Sequence, residues 1–385
     1  MRIAIVTETF NPEVNGVTRT LDHLVEGLLV RGHDLEVIRP RQRRDDHPGH
    51  NGFRELLVPG APLPGYDKLR FGSPQLGRLR RSWREQRPDI VHIVTEGPLG
   101  MAAVVAASQL GIPLSSSFHT NFHLYSRHYG VGLLRGIGLR YLRWLHNRTG
   151  CTLVPTPTFA ERLTDLGFHH VQAMGRGVDT EAFSPEHRRT ELRRSWGAAD
   201  EDVLVVAYVG RLATEKNLGL ASRAFAAMRD ERPDARFVLV GDGPHGEIVR
   251  KRHPDFVFAG MRLGSDLAAH FASADVLLNP STTETFGNVV TEGMASGLAV
   301  LAYDYAAGRM HIRTDENGVT TPFGEAEAYV AAARQLAADG PDRWRRLGVA
   351  ARKTALDITW DRVVDTFLNA LEDVIERHGR EDFTS

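Results

Sequence analysis

The sequence predicts an α/β protein with two doubly wound domains, and two observations lead to that class. Short runs rich in β-branched residues alternate with helical stretches along the chain, which is the pattern of buried parallel strands joined by helices. Around residue 200 the same pattern begins again. At 385 residues and 42% hydrophobic composition, the chain is long enough for two domains that each bury their own core.

The first half opens with a βαβ unit. RIAIVT is a predicted strand, ETFNPEVNG a loop, the stretch from Val17 to Arg31 a helix that Gly32 ends, and DLEVIRP a second strand. Further strands are predicted at DIVHIV, IPLSSSF, CTLVPT and VQAMG, with helices between most of them. This order is typical of an open doubly wound sheet, in which ligands bind beyond the carboxyl ends of the strands.

The second half repeats this arrangement. DVLVVAYVG is followed by the loop RLATEKN, the helix LGLASRAFAAMRD and the strand ARFVLVG, and FVFAG, DVLLNPS and LAVLAY are further predicted strands. The predicted domains are residues 1–182 and 183–359, joined near GRGVDTEAFSPEH. The last helical segment, from Trp360 to His378, is amphipathic and long enough to return to the first domain, so residues 360–385 are assigned there. Two such domains imply a cleft between their facing edges.

Composition excludes several classes of protein. The formal net charge is −1, although residues 1–182 carry 22 Lys and Arg against 17 Asp and Glu, so a bulk nucleic-acid binder is not expected. Cys151 is the single cysteine, which excludes an intramolecular disulfide framework and fits a reducing compartment. Neither a signal peptide nor an apolar run of about 18 residues is found, so a cytoplasmic protein is expected, with peripheral contact to the inner face of the membrane left open.

Several common motifs are missing from the sequence. Neither βα turn has the GxGxxG fingerprint with an acid about 20 residues on, which argues against a dehydrogenase. There is no GxxxxGK[ST], HExxH or GxSxG motif, so phosphate-loop ATPases and the corresponding hydrolases are not supported either.

The loop after each first strand offers an anion site. In the first domain, Asn15 and Gly16 precede a helix start, where backbone N–H groups can bind a phosphate. In the second, Arg211 and Lys216 place two cations beside another helix start, and the pair suits a pyrophosphate. The alternative is an ordinary turn glycine and two solvated loop charges.

The stretch TTETFGNVVTEG follows the predicted strand DVLLNPS and holds two acids. If a helix begins after Gly287, amides near Gly287, Asn288 and Val289 form a second anion site. Glu284 then lies just before the helix and Glu292 about two turns into it, so each can reach hydroxyls on one side of a bound phosphate. A nucleotide sugar has that layout, although a capping acid and a surface acid would explain the pattern too.

These motifs together resemble family 4 of the retaining nucleotide-sugar glycosyltransferases, which have the GT-B fold of two Rossmann-like domains. The resemblance rests on E284-TFGNVVT-E292, on GRLATEKN and on NGV in the first loop, and it covers nearly the whole chain. It is closest to the bacterial GDP-mannose-dependent α-mannosyltransferases and related enzymes that glycosylate lipids. The implied partners are a nucleotide-sugar donor and a lipid or glycolipid acceptor at the inner membrane surface.

The resemblance also implies roles for single residues. Glu284 would hold hydroxyls of the donor sugar, Glu292 the ribose, and His119 in FHTNF would lie near the reactive carbon of the sugar. The implied catalytic residues are His119, Arg211, Lys216 and Glu284, and the implied donor-binding residues are Gly16, Arg211, Lys216, Glu284, Phe286, Gly287, Asn288, Val289 and Glu292. The implied reaction is front-face transfer without a cofactor or a metal ion.

Two features complicate the donor site. Many members of the family have two glycines and an acid after the strand equivalent to LAVLAY, whereas this chain reads DYAAGRMHI, so Asp304, Arg309 and His311 are candidates for that part of the sugar pocket. His119 and His123 are four residues apart and His128 follows, but their loop location and the lack of a nearby acid disfavour a metal site.

The acceptor side is suggested by two basic clusters in the first domain. From Leu133 to Arg148, the apolar residues Leu134, Ile137, Tyr141, Leu142 and Leu145 share a helical face opposite Arg135, Arg140 and Arg143. Such a helix can lie on an anionic membrane, or its apolar face can pack on the sheet. The second cluster runs from Lys68 to Arg87. A UDP-hexose donor, a soluble sugar acceptor, a nucleotide-sugar epimerase and a non-catalytic nucleotide-binding protein remain as alternatives.

Overall fold

The computed structural model describes residues 1–10, 16–41, 52–63, 66–119 and 133–382, with the backbone alone at 62–63, 66–70, 133–135 and 381–382. The chain divides into two compact units. Unit 1 is Met1–Arg176 with Trp360–Ser385, and unit 2 is Gly177–Thr359. The sequence places this boundary after residue 182. The structure places it after Arg176, because Arg352 donates hydrogen bonds to the carbonyl oxygens of Thr180 and Phe183 and so ties that stretch to unit 2.

Unit 1 is built on a seven-stranded parallel sheet in the order β3-β2-β1-β6-β7-β8-β9. The strands of this sheet are β1 (Arg2–Val6), β2 (Asp34–Pro40), β3 (Arg54–Val58), β6 (Ile90–Ile93), β7 (Leu114–Ser117), β8 (Cys151–Val154) and β9 (Val171–Ala173), and β4 (Gly60–Leu63) and β5 (Tyr66–Gly72) form an antiparallel hairpin. The helices are α1 (Gly16–Val30), α2 (Leu76–Glu85), α3 (Pro98–Gln109), α4 (Leu133–His146), α5 (Pro157–Asp165) and the last one, Trp360–Asp382.

Local sequence sets the ends of several of these helices. Gly32 takes a φ of 76° just after α1, a conformation that glycine adopts without the strain of a side chain. Pro98 and Pro157 occupy the first turns of α3 and α5, where their missing N–H is not needed. The Thr156 side chain accepts the N–H of Phe159 and caps α5.

The last helix completes the core of unit 1. Phe367 and Leu371 are fully buried in the cluster that holds Ile3 and Leu28, so this helix covers one face of the sheet. Arg31 also forms an ion pair with Asp365 at 2.8 Å between Nη2 and Oδ1. The apolar face that the sequence shows from residue 360 onward is thus the face that packs.

Unit 2 has a six-stranded parallel sheet in the order β12-β11-β10-β13-β14-β15. Its strands are β10 (Val205–Val209), β11 (Arg236–Val240), β12 (Val257–Gly260), β13 (Val276–Asn279), β14 (Ala299–Tyr303) and β15 (Val319–Thr321). Its helices are α6 (Thr190–Ser195), α7 (Leu218–Glu231), α8 (Gly246–Arg252), α9 (Gly264–Ala272), α10 (Asn288–Ala295), α11 (Ala307–His311), α12 (Ala326–Ala338) and α13 (Pro341–Ala355), and short 3₁₀ turns cover Pro185–His187 and Thr214–Lys216. The helix Trp360–Asp382 is accordingly α14.

The sequence patterns identify every strand of the two parallel sheets except β3 and β15, and they miss the hairpin strands β4 and β5. β3, β4, β5 and β15 are all at an edge or in a separate hairpin. β3 begins with Arg54 and Glu55, and β15 spans only three residues, so neither shows the buried apolar run that marks a central parallel strand. These strands are defined by pairing with a neighbour, which the local sequence does not show.

Both sheets have their first strand in the middle. β1 lies between β2 and β6, and β10 lies between β11 and β13. The loops that leave β1 and β6, or β10 and β13, turn to opposite sides of the sheet and open a crevice at the carboxyl ends. Each unit therefore has one such switch point, and the residues of these loops are the first candidates for ligand binding.

Candidate active site

The switch point of unit 2 brings together two residues that the sequence singles out. Lys216 follows β10 and Glu284 follows β13, and the Lys216 Nζ lies 2.6 Å from the Glu284 Oε1. The two side chains are 25% and 19% exposed, so the pair is accessible yet partly shielded from water. An ammonium and a carboxylate at this distance and depth attract each other more strongly than a fully solvated pair.

The backbone of the loop that carries Lys216 is held in place by the side chain of Tyr208. The Tyr208 hydroxyl lies 3.3 Å from the carbonyl oxygen of Arg211 and 3.4 Å from that of Lys216. Asn217 takes a left-handed conformation with a φ of 55°, which turns the chain into α7. On the opposite side, the Tyr305 hydroxyl donates to the carbonyl oxygen of Glu284 at 2.8 Å. Both residues of the ion pair thus stand on anchored backbone.

Arg211 is near the pair in sequence but is not part of it. Its guanidinium forms an ion pair with Glu215 one turn on, and its side chain is 66% exposed. The Thr283 hydroxyl donates to the carbonyl oxygen of Glu215 and joins this loop to the one that carries Glu284. Arg211 therefore lies at the rim of the switch point with its charge open to solvent.

Helix α10 begins at the second acid motif, as the sequence predicts. Gly287 precedes it with a φ of 99° and a ψ of 55°, and no side chain caps this end of the helix. A residue with a side chain would be strained there, and its Cβ would lie 3.5 Å from the Glu284 Cγ. Asn288 and Val289 form the first turn of α10 directly after Gly287, and Glu292 follows half-buried on the second turn.

Phe286 differs from the other predicted donor-binding residues. Its side chain is 1% exposed and belongs to the core of unit 2, and its carbonyl oxygen accepts the N–H of Ala307. The ring lies 6.0 Å from that of His311 between centroids. Phe286 therefore supports the turn from beneath.

The departure from the family pattern after β14 produces a strained turn. Ala306 has a φ of 50° and a ψ of −129°, a conformation that glycine adopts easily and alanine does not. Asp304 and Arg309 form a two-pronged ion pair, with distances of 3.1 and 2.9 Å. Burial lowers the pKa of His311 to about 4, so that ring is neutral at physiological pH.

In unit 1, Gly16 and His119 stand at the carboxyl edge of the sheet. Gly16 is exposed and opens α1, and a Cβ placed on it would lie 3.5 Å from the Nη1 of Arg176. Burial, with smaller contributions from the charge of Arg176 and from His92, lowers the pKa of His119 to about 3. The His119 Nδ1 is buried and has no hydrogen-bond partner among the described residues. His119 is thus a neutral imidazole.

Sequence reasoning missed Arg176, Glu8 and Glu96 in this unit. Arg176 is almost fully buried and follows β9, Glu8 follows β1, and Glu96 follows β6. The signal was available, because each of the three comes within three residues of the end of a predicted strand. Ligand-binding residues of parallel sheets concentrate at that end.

A few of the expected features fall on residues that are not described. Asn15, His123 and His128 lie outside the described ranges. Within those ranges, no group of three or more His, Cys, Asp or Glu side chains is arranged to hold a metal ion.

Helix α4 packs at one end and is exposed at the other. Leu142 and Leu145 are buried in the core, whereas Ile137 is 55% exposed and Arg140 is exposed beside it. Arg143 donates to the carbonyl oxygen of Leu166, so its guanidinium group stabilises the fold. The side chains of Leu134, Arg135 and Lys68 are not described. Among the helices of the described ranges, none combines the length and the apolar character needed to cross a bilayer.

Comparisons with known proteins agree with this architecture. The model of Glycosyltransferase Family 4 matches residues 14–182, and that of Glycosyl transferases group 1 matches residues 203–339. The chain is 35% identical to a GDP-mannose-dependent alpha-mannosyltransferase of Mycolicibacterium smegmatis, over 98% of this chain and 99% of that protein. It is 26% identical to an alpha-monoglucosyldiacylglycerol synthase of Streptococcus pneumoniae, over 79% of this chain and 71% of that protein.

A solved structure supports the fold alone. The Anabaena protein HepE in complex with UDP matches 97% of this chain and 100% of its own, with a TM-score of 0.74 and 18% identity.

Proposed function

The chain belongs to glycosyltransferase family 4, and from this premise we propose that it transfers mannose from GDP-mannose to a lipid or glycolipid acceptor with retention of configuration. It is a glycosyltransferase of the GT-B fold. The donor is supported by the name of the Mycolicibacterium relative, and the lipid acceptor by that of the Streptococcus relative. The observation that carries the assignment to this site is the contact of Lys216 with Glu284.

That contact suits a nucleotide sugar for an electrostatic reason. A carboxylate that binds sugar hydroxyls must stand close to a diphosphate, and two groups of negative charge repel each other in a partly shielded site. Lys216 neutralises Glu284 at 2.6 Å and offers its remaining N–H donors to a phosphate. Glu284 then binds the hexose, and Lys216 the diphosphate next to it.

The other residues complete the donor site in the proposed scheme. Arg211, exposed at the rim, adds a second cation for the diphosphate. The amides that follow Gly287 add the positive end of α10, and Glu292 binds the ribose. In unit 1, the start of α1 at Gly16 is proposed as an anion site of its own, because it offers the positive end of that helix.

The chemistry proposed is front-face attack. A covalent intermediate would need two carboxyl groups about 5 Å apart on either side of the sugar carbon, and His119 is not a carboxylate. The leaving diphosphate instead accepts the proton of the attacking hydroxyl, and Lys216, Arg211 and the α10 amides stabilise its growing charge. His119 stays neutral and binds the sugar through a hydrogen bond. Because these groups supply positive charge, the scheme assigns no step to a metal ion.

The acceptor is proposed to be reached at a membrane surface. The exposed end of α4 presents Ile137 beside Arg140, a combination that suits an interface with anionic lipid. A peripheral enzyme on the inner face of the cytoplasmic membrane follows from this proposal.

The first test is thermal stabilisation of the purified chain by GDP, UDP and ADP, each with EDTA and with Mg²⁺. A ligand at about 100 times its dissociation constant adds about 2.7 kcal/mol to the free energy of unfolding and raises the melting temperature. We expect a shift with GDP in both conditions. A shift with UDP alone would assign the donor to the UDP-hexoses, and no shift with any nucleotide would contradict the site.

The second test is transfer itself. Radiolabelled GDP-mannose and UDP-glucose are each incubated with the enzyme and a bacterial lipid extract, and the lipids are separated from water-soluble products. We expect label from GDP-mannose in the lipid fraction. Label that appears only in a free, altered sugar without any acceptor would indicate an epimerase, and label in soluble oligosaccharide would overturn the lipid acceptor.

A further inference from the structure

The switch point of unit 1 holds a pair of carboxyl groups. Glu8 lies just beyond β1 and Glu96 just beyond β6, and these two strands are neighbours in the sheet. The chain leaves β1 toward β2 and returns to β6 on the other side, so the crevice of this sheet opens between the two loops. In unit 2 the equivalent place holds Lys216 and Glu284. Both units thus have charged side chains where a doubly wound sheet binds its ligands.

Glu8 is fixed in this crevice by hydrogen bonds at its backbone and at its side chain. Its N–H donates to the Thr95 Oγ1 at 2.8 Å, and its Oε1 accepts the N–H of Leu99 at 3.1 Å, in the first turn of α3. Gly97 leaves the space for the carboxyl group, because a Cβ there would lie 1.8 Å from the Glu8 Oε2. A side chain at position 97 and the carboxyl group of Glu8 cannot both occupy this place.

Glu96 is held from helix α4. The Tyr141 hydroxyl donates to its carbonyl oxygen, and the His146 Nε2 lies 3.5 Å from its Oε1. His146 is fully buried, its Nδ1 is paired with the Ser116 hydroxyl, and its Nε2 has no hydrogen-bond partner in the described part of the chain. A buried imidazole nitrogen therefore lies against the Glu96 carboxyl group.

Helix capping alone does not account for Glu8. A Ser, Thr or Asp at position 97 would cap α3 locally, without bringing a glutamate from another loop into a half-buried place. Burial, in spite of hydrogen bonds from the Leu99 and Gly72 amides and with a smaller contribution from the charge of Glu96, raises the pKa of Glu8 to about 7. Burial of the ionised Glu8 therefore costs free energy of folding, and groups held at such a cost are common in functional sites.

Resting on the proposed function, we propose that Glu8 binds the glycosyl acceptor, with its carboxylate accepting a hydrogen bond from a hydroxyl group of the acceptor headgroup. Glu96, buried and oriented by α4, adds its charge behind Glu8. No bond is made or broken at Glu8. The ligand class is a polyhydroxylated headgroup, since a pair of carboxyl groups repels an anion and accepts hydrogen bonds from hydroxyls.

The proposal carries a pH dependence with a definite sign. The carboxylate is the stronger hydrogen-bond acceptor, and it predominates above a pH of about 7. Acceptor binding should therefore weaken as the pH falls below 7. The titratable groups that face Glu8 from the neighbouring elements are Glu96 and, behind it, His146; the first turn of α3 has none, and the β5 side chains up to residue 70 are not described.

The test compares Glu8→Gln with the wild type in the full chain. Glutamine keeps an oxygen for the Leu99 amide but loses the second carboxylate oxygen, so thermal denaturation checks that Glu8→Gln is folded. Glu85→Gln on the exposed face of α2 is the matched control. The acceptor probe is octyl α-D-mannopyranoside, whose binding is followed by saturation-transfer NMR without any donor. The KM values for probe and GDP-mannose are measured from pH 5.5 to 8.5.

We expect Glu8→Gln to raise the KM for the probe about tenfold at pH 8 and to weaken binding of the probe in the absence of donor. The rise in the KM for the probe that the wild type shows below pH 7 should be abolished in this variant. The KM for GDP-mannose should not move. Unchanged probe binding, or a loss shared by Glu85→Gln, would overturn the proposal. If the wild type binds the probe through Glu8 but shows no response to GDP, the proposed donor fails while this assignment stands.

Discussion

At the residue scale, the structure separates side chains that share a motif. Lys216 and Arg211 lie in one loop, yet only Lys216 contacts Glu284, while Arg211 pairs with Glu215 at the rim. Glu284 and Phe286 are two positions apart, and the first is accessible while the second is buried in the core. Single substitutions at these positions should therefore have unequal effects.

Lys216→Ala removes the cation that pairs with Glu284 and that, in the proposed scheme, binds the diphosphate. We expect kcat/KM to fall by about 100-fold or more, because one charged donor to a leaving group contributes that much in comparable sites. Steady-state kinetics with GDP-mannose measures it, with Lys251→Ala on the exposed end of α8 as the control. A Lys216→Ala enzyme with full turnover would refute the role given to the Lys216–Glu284 contact.

Ala306→Gly relieves a strained backbone. A non-glycine residue at this φ and ψ costs about 1–3 kcal/mol, and the lost methyl burial and the entropy of glycine offset part of that. We expect the free energy of unfolding to rise by up to about 1 kcal/mol. Ala307→Gly, in a regular helical turn and buried, should lower it by about 1–2 kcal/mol instead. Urea unfolding of both variants checks the opposite signs.

At the element scale, the residues at the start of a helix and the side chains that it leaves exposed determine what the helix can contact. α10 begins at Asn288, and Gly287 before it takes a φ of 99°, which lets the chain turn from the Glu284 loop into the helix. α4 is buried through Leu142 and Leu145 and exposed at Ile137. The sequence shows one amphipathic face on α4, and only the packing shows which part of that face is open.

Ile137→Glu is expected to weaken binding to vesicles of phosphatidylglycerol and phosphatidylcholine. The substitution removes an exposed apolar contact and adds a charge that the anionic surface repels, so a loss of about tenfold in partitioning is expected. Sedimentation with the vesicles measures it. Val349→Glu, which changes a 71% exposed residue on α13 of unit 2, is the control. Equal partitioning of both variants and the wild type would exclude α4 as a membrane contact.

At the scale of the whole molecule, the chain is two units with separate cores, and unit 1 is assembled from both ends of the sequence. The last helix fills one face of the unit 1 sheet with Phe367, Leu371 and Val374. Stability of the two units can therefore respond separately to a substitution, and a single melting temperature need not describe the chain.

Phe367→Ala should destabilise unit 1 by about 3–5 kcal/mol, since it empties a fully buried site in that core. Unit 2 holds Lys216 and Glu284, and its unfolding should not change. Differential scanning calorimetry with and without GDP reports both unfolding transitions. Phe367→Leu should destabilise unit 1 much less than Phe367→Ala. A uniform shift of a single transition would argue against independent units.

The sequence by itself determined the fold class, the positions of the central strands along the chain and the motifs around Glu284 and Lys216. Local residue types indicate buried parallel strands, the glycines that end helices and the residues that begin them, so these features can be predicted without knowledge of the tertiary structure. The sequence did not predict the edge strands β3 and β15, because pairing with a neighbouring strand defines them. It did not predict the boundary after Arg176 either, because hydrogen bonds from distant residues define it.

Only the tertiary structure decided which residues meet. Lys216 and Glu284 are 68 positions apart, and Glu8 and Leu99 are 91 apart, and each pair is brought together because the strands before them lie side by side. The same packing sets how deeply each group is buried. Burial in turn fixes the pKa of His119 and Glu8, since the cost of removing a charge from water depends on the surrounding atoms and not on the neighbours in sequence.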